Sequence, residues 1–200
     1  MSNTRSKFIN WQALLFPLTI LVALVYLPLN QPHGVLHSVK IPLDSHLPFL
    51  PIFAIPYILV LVLFWGTLLY AFWANKKFKP LALSIIAVHL ISYLFYFFFQ
   101  THVSRPVVLQ HGILNSLVRL VYSHDQPYND FPSLHVAMAT ILAMYYYYIK
   151  YRWRIEVAVF CLLVILSTLF IKQHYIADVV GSLVLSVLVT YVCFKKFSAL

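Results

Sequence analysis

Charge is what this chain has least of. Only 10% of its 200 residues are charged and only five are acidic, where soluble domains carry about a quarter. Together with 62% hydrophobic residues and a mean hydropathy of +0.85, that scarcity excludes a soluble globular domain and points to an integral membrane protein. Cysteine is nearly missing as well. Cys161 and Cys193 both lie inside apolar stretches, which excludes a disulfide framework and a cysteine metal site. Internal repeats and low-complexity linkers are lacking, so one compact domain over 1–200 is expected. The net charge of +9 comes from short basic clusters between apolar runs. That is an orientation signal, and nucleic acid is not an expected partner.

What is abundant is long apolar sequence. A spanning helix needs about 20 mainly apolar residues, and six segments qualify, roughly 11–29, 51–73, 80–99, 133–150, 154–172 and 174–194. Pro17 and Pro56 are tolerable as kinks. The polar stretch Met1 to Asn10 precedes a run long enough to span, and no small-residue cleavage site follows it, so it reads as retained. Lys172-Gln173 forms the tight turn between the last two segments. The fold expectation is therefore all-α: a six-transmembrane-helix bundle. A short interfacial helix is expected between spans three and four, from the apolar pattern of Ile113 to Tyr122.

Basic residues orient the bundle. Arg5, Lys7, Lys76, Lys77, Lys79, Lys150, Arg152, Arg154, Lys195 and Lys196 fall at one set of ends, and Lys40, Arg105, Arg119 and Lys172 at the other. The positive-inside rule then places both termini in the cytoplasm of a multi-pass protein of the cell (inner) membrane. Trp11, Trp73 and Trp153 fall at the cytoplasmic ends as interfacial anchors. Ser133, His135, Lys172, His174, Arg105 and Asp178 all fall on the extracytoplasmic face, with eight of the nine histidines.

Ionisable groups at helix mouths are costly and mark function. Four residues apart on a helix, His174 and Asp178 share a face. The carboxylate can hold one imidazole nitrogen and present the other as a nucleophile. His135 stands at the start of another helix, placed to protonate a leaving oxygen. Arg105, Lys172, Ser133 and the helix N-terminus after Pro132 supply positive potential for a phosphoryl group. Arg119 and Asp130 are accessory candidates, although Arg119 is more simply a surface charge. Asp125 and Asp130 read as solvated loop residues. His33, His37 and His46 lie in a segment, Gln31 to Pro51, that can roof the site, but His33 and His37 lack a further ligand and no metal is assigned. His89, in mid-span, reads as packing, and the runs Phe95 to Phe99 and Tyr145 to Tyr148 as lipid-facing surface.

These residues resemble the type 2 phosphatidic acid phosphatase superfamily. Its second motif, Pro-Ser-x-His, is present as Pro132-Ser133-Leu134-His135. The third, Ser-Arg-x5-His-x3-Asp, appears as Ser167-Thr168 followed by His174 and Asp178. The first, Lys-x6-Arg-Pro, is reduced to Arg105-Pro106, with Phe98 where the family has lysine. Thr168 stands in place of the third motif's arginine, which makes Lys172 the natural substitute cation. The Lys-Gln-His-Tyr and Phe-Pro-Ser-Leu-His sequences are similar to the branch that includes inositol phosphorylceramide synthases. The resemblance implies a metal-independent, cofactor-free lipid phosphatase working through a phosphohistidine on a phospholipid or polyprenyl-type lipid phosphate. Three alternatives stay open: a phosphotransferase moving a head group to a lipid hydroxyl, a transporter or lipid-binding scaffold, and a haem or redox-metal protein built on the histidines.

Overall fold

The computed structural model describes residues 3–197, with side chains from Trp11 onward. The expectations for the chain ends and for the Arg5 and Lys7 side chains lie outside the described residues. Seven α-helices make up the fold, and no strand occurs among the described residues. They are α1 (Asn3–Leu29), α2 (Ala54–Trp73), α3 (Phe78–Phe98), α4 (Ile113–His124), α5 (Leu134–Tyr148), α6 (Arg154–Phe170) and α7 (Ile176–Phe197). Two 3-10 turns, Pro42–Ser45 and Pro51–Phe53, interrupt the connection from α1 to α2.

An apolar medium forces each segment to satisfy its own backbone, so long apolar runs become helices. Trp11–Leu29, Pro51–Trp73, Phe78–Phe98 and Ile176–Phe197 are long and apolar enough to cross a membrane, which makes this a membrane protein. The other two apolar segments are helical but shorter, 15 residues in α5 and 17 in α6. At 1.5 Å per residue they reach about 23 and 26 Å, against a hydrocarbon core of about 30 Å. Local backbone sets those limits. Ser133 caps the start of α5, left-handed Lys150 (φ +52°) follows its end, and left-handed Lys172 (φ +57°) follows α6.

The core centres on α5, which packs against α2, α3, α6 and α7. Its Ala137, Ala139, Ile141 and Leu142 meet Phe64 and Leu68 of α2 and Leu81 and Ile85 of α3 in one buried cluster. In α7 the usual polarity is reversed. Asp178, Ser182, Ser186 and Thr190 recur every four residues and are buried, while Val180, Val184, Leu188 and Val192 are exposed. Small residues inside let the backbones approach closely. The Ser182 hydroxyl donates to the Ser133 carbonyl, and Gly181 carries the Phe131 ring, whose Cε2 lies 2.5 Å from where a Cβ would stand. The aromatic runs expected to face lipid are split. Phe97, Phe98 and Tyr147 are exposed, but Tyr96 and Tyr145 are buried because their hydroxyls find the carbonyls of Pro132 and Lys76.

The two ends of the bundle differ. At one, Trp11, Lys76, Lys77, Lys79, Lys150 and Phe197 surround a cavity of about 570 Å3. At the other, three connections interlock. His37 pairs with Thr101 and His102 with Tyr128 as isolated bridges. The Gln100 amide donates to Gln31 O and Asn129 Oδ1, both at 2.8 Å, and Asn129 Nδ2 donates to Leu29 O at 2.6 Å. Thr101 Oγ1 accepts from the amides of Asp130 and Phe131.

Candidate active site

His135 occupies the first turn of α5, where Ser133 is the N-cap and its Oγ accepts from the Val136 amide at 3.3 Å. The imidazole stacks on the Tyr57 ring from α2, centroids 4.0 Å apart and 16° from parallel. Its Nδ1 lies 3.1 Å from the Tyr57 hydroxyl, and its Nε2 is buried without a hydrogen-bond partner.

His174 does not share a helix with Asp178. The left-handed backbone at Lys172 folds the chain back, so that the amides of Gln173 and His174 both reach Thr168 O. α7 starts only at Ile176. Asp178 lies in its first turn, and its Oδ2 accepts from the Tyr175 amide at 2.7 Å while standing 3.6 Å from His174 Nδ1. One carboxylate thus caps the helix start and faces the imidazole. A second carboxylate arrives from far away: Asp44 Oδ1 accepts from the Ile176 amide at 2.9 Å. The expected i,i+4 proximity is present, but it is produced by a helix cap.

Asp125, expected as a solvated loop residue, lies at the centre of the site. Its Oδ1 accepts from Tyr26 Oη at 2.6 Å and Asn30 Nδ2 at 2.9 Å. Its Oδ2 accepts from Tyr57 Oη at 2.6 Å and Gln173 Nε2 at 3.4 Å. Burial pushes the carboxyl up, but the neighbouring His135 and the two phenols outweigh it and hold Asp125 below the usual carboxylate range. Asp130 is also withdrawn from solvent, 3% exposed, with Oδ2 unpartnered. Burial first, and then the charge of Asp178, push its carboxyl well up.

The cationic candidates divide. Arg105 backs the cluster, with its guanidinium donating to Asp125 O at 2.7 Å, lying over the Tyr122 ring, and keeping Nε unpartnered. Lys172 turns away to the carbonyls of Leu47 (2.6 Å) and Asp44 (3.3 Å), which straps the Pro42–Ser45 turn to the start of α7. Arg119 bonds Gln110 O at 2.9 Å, ahead of its helix, and Ser116 Oγ at 2.8 Å within it.

A cavity of about 480 Å3 joins the two histidines. His135, His174 and Asp125 line its polar end; Leu24, Leu27, Leu61, Trp65 and Met138 line much of the rest. Its walls come from α1, α2, α3, α4 and α5. His89 also faces it and bonds Ile85 O. His33 and His37 lie apart. His33 Nε2 is 3.0 Å from Tyr96 O, and the His37 ring stacks on Phe99. Among the described residues no three His, Cys, Asp or Glu side chains gather as a metal site.

Sequence reasoning missed Asp125, Tyr57, Tyr26, Asn30 and Asp44, for which only the chemistry of a buried carboxylate needing donors gave any signal. Comparison with known proteins adds one finding. The model of the PAP2 superfamily matches residues 77–200, a stretch that holds both histidines, Asp178 and Asp125 but not Tyr26, Asn30, Asp44 or Tyr57. No curated protein and no solved structure matches the chain.

Proposed function

The chain belongs to the PAP2 superfamily, whose members act as phosphatases or phosphotransferases on phosphorylated substrates, and from that premise we propose that it is a lipid phosphatase. The observation that carries the lipid is the cavity: two histidines stand at one end of a space whose remaining walls are mostly aliphatic and aromatic. A phosphate head can lie against the histidines while an acyl or prenyl tail fills the rest.

In this reading His174 Nε2 attacks phosphorus and forms the N–P bond, since Nδ1 faces Asp178. The P–O bond to the lipid oxygen breaks, and that oxygen takes the proton from His135 Nε2. Water then attacks the phosphohistidine and its proton returns to His135 while the N–P bond breaks, so that inorganic phosphate leaves and His174 is restored. The free donors of Arg105, the Ser133 hydroxyl proton and the α5 N-terminus stabilise the phosphoryl oxygens without a metal. Lys172, the other cation expected there, in our proposal holds the Pro42–Ser45 segment in place. Six spans, with α4 at the interface and the site on the extracytoplasmic face, complete the reading; the lysine-rich end, away from the site, supports that orientation.

A second reading keeps the same intermediate and replaces water by a lipid hydroxyl, as in inositol phosphorylceramide synthases. The apolar walls next to His174 favour it, because they admit such an acceptor. One experiment tests both. The full chain in nanodiscs is given a set of lipid phosphates with and without diacylglycerol or ceramide, beside His174→Ala. Phosphate release lost by about 10^3-fold or more is expected. Undiminished release from His174→Ala would refute the mechanism, and a phospholipid product formed only with the acceptor would select transfer.

A further inference from the structure

Proton count gives the line His135–Tyr57–Asp125 a direction. Tyr57 has one hydroxyl proton. Asp125 Oδ2, 2.6 Å away, is acceptor-only when ionised, so the proton points to it. The phenolic oxygen is then left to accept, and the contact at 3.1 Å requires a proton on His135 Nδ1. Direct pairing of His135 with Asp125 is too long for a hydrogen bond, 4.0 Å from Nδ1 to Oδ2. Tyr57 is therefore the bridge, and its ring, stacked face to face on the imidazole, restrains the histidine's rotation.

We propose that Asp125, acting through Tyr57, is the positioning pair of His135: together they keep Nδ1 protonated, aim Nε2 at the leaving oxygen and stabilise the imidazolium. His135 thereby has a carboxylate of its own, as His174 has Asp178. The proposal rests on the reading of His135 as the group that protonates the leaving oxygen. In that step the Nε2–H bond breaks and the O–H bond of the lipid alcohol forms, while Nδ1–H and the Asp125 charge persist. Asp125 is equipped for this. Four donors surround its carboxylate, and they favour the ionised form. Three of them, Tyr26, Asn30 and Tyr57, lie outside the stretch matched by the family model, so α1 and α2 supply a support that the shared part of the fold does not itself contain. The titratable groups facing His135 are Tyr57 from α2, Asp125 after α4 and His174 before α7, with Tyr26 from α1, His89 and Tyr96 from α3 and His124 from α4 around the same cavity.

Tyr57→Phe keeps the stacked ring and removes the bridge; Asp125→Asn keeps the shape and removes the charge. Both are assayed as full chains in nanodiscs on an alkyl lipid phosphate, whose leaving oxygen needs a proton, and on nitrophenyl phosphate, whose leaving group does not. On the lipid phosphate, kcat falls about tenfold to a hundredfold, within the range a general acid contributes, and KM stays within about twofold. On nitrophenyl phosphate, kcat/KM, which reports only the steps up to release of the leaving group, stays within about threefold. In Asp125→Asn the alkaline limb of the pH profile moves to lower pH, because an imidazolium without its carboxylate releases its proton more easily. Equal loss on both substrates, a change in KM alone, or an unmoved alkaline limb would overturn the proposal. If Asp125→Asn does not fold, Tyr57→Phe decides it.

A readout independent of turnover separates this inference from the activity it rests on. In nitrogen-15 histidine spectra recorded at a pH above the alkaline limb, where the imidazolium has lost its Nε2 proton, the His135 signal (the one missing from His135→Gln) is expected as the Nδ1–H tautomer, shifting toward Nε2–H in Tyr57→Phe. A wild-type His135 already in the Nε2–H form would overturn the pairing even in an active enzyme. A wild type that releases no phosphate, or a His135→Gln variant with undiminished lipid phosphatase activity, would instead sink the functional reading.

Discussion

Asp178→Asn separates the two tasks that one carboxylate performs at the start of α7. Oδ2 accepts from the Tyr175 amide at 2.7 Å and faces His174 Nδ1 at 3.6 Å. An asparagine must place its oxygen, and not its NH2, in that position, because the Tyr175 N–H needs an acceptor. The cap then survives, and the stability cost is confined to the lost charge at a helix N-terminus, about 0.3–1 kcal/mol. The catalytic cost is larger. Two unit charges 3.6 Å apart interact by about 4.6 kcal/mol at an effective dielectric of about 20. That figure is a ceiling, since only part of a positive charge develops on the attacking imidazole. A drop in kcat of about 10^2–10^3 follows at 1.36 kcal/mol per decade. Asp178→Ala removes the acceptor as well and adds about 0.5–2 kcal/mol of destabilisation. The assay pairs phosphate release with thermal unfolding of the same nanodisc samples. If Asp178→Asn keeps kcat within fivefold of wild type, or if its losses of activity and stability match those of Asp178→Ala, the carboxylate is a cap and nothing more.

Two further outcomes follow from the neighbouring groups. Lys172→Met removes the strap to Leu47 O and Asp44 O, loosening the Pro42–Ser45 turn by about 1.5–3 kcal/mol if the bonds carry the usual worth of charged hydrogen bonds. Limited proteolysis should cut there sooner while KM changes less than tenfold; a KM raised a hundredfold with the turn still protected would show that the ammonium leaves the carbonyls to hold phosphate. Asp130 has a carboxyl pushed up on folding, so its contribution to stability is fully present below the unfolded value of about 3.9 and is lost as pH rises through the folded value. Asp130→Asn should therefore flatten the decline in unfolding temperature toward alkaline pH, and an unchanged slope would contradict the buried, proton-holding carboxyl.

What could be read from the sequence, and what could not, divides by distance along the chain. The apolar segments declare themselves because each is a local composition, and all six are helical. The Ser133 cap and the spacing of His174 from Asp178 are local too. That spacing on its own reads as a helix face, whereas Lys172 adopts a left-handed backbone and delays α7 to Ile176. Asp125 was invisible for a different reason. Its donors Tyr26, Asn30 and Tyr57 stand 99, 95 and 68 residues away, and nothing local separates a buried acid with four donors from a solvated one. The same holds for Asp44, which reaches the α7 start across 132 residues. Lys172 looked like a phosphate ligand because its neighbours in sequence are catalytic candidates, but its carbonyl partners lie 125 and 128 residues away.

The Asp44 contact also bears on how the protein is made. Residues from Tyr26 to Asp178 meet at one end of the bundle, so the site cannot exist until the last described helix is in place. At roughly 5–20 residues per second, translation separates those two residues by about 8 to 30 seconds. Late in that interval, once Asp125 has been made, its phenols are already present, but His174 has not emerged and Asp44 has no amide to cap. Arrival of the Ile176 amide at Asp44 is the contact that closes the loop end and completes the candidate site.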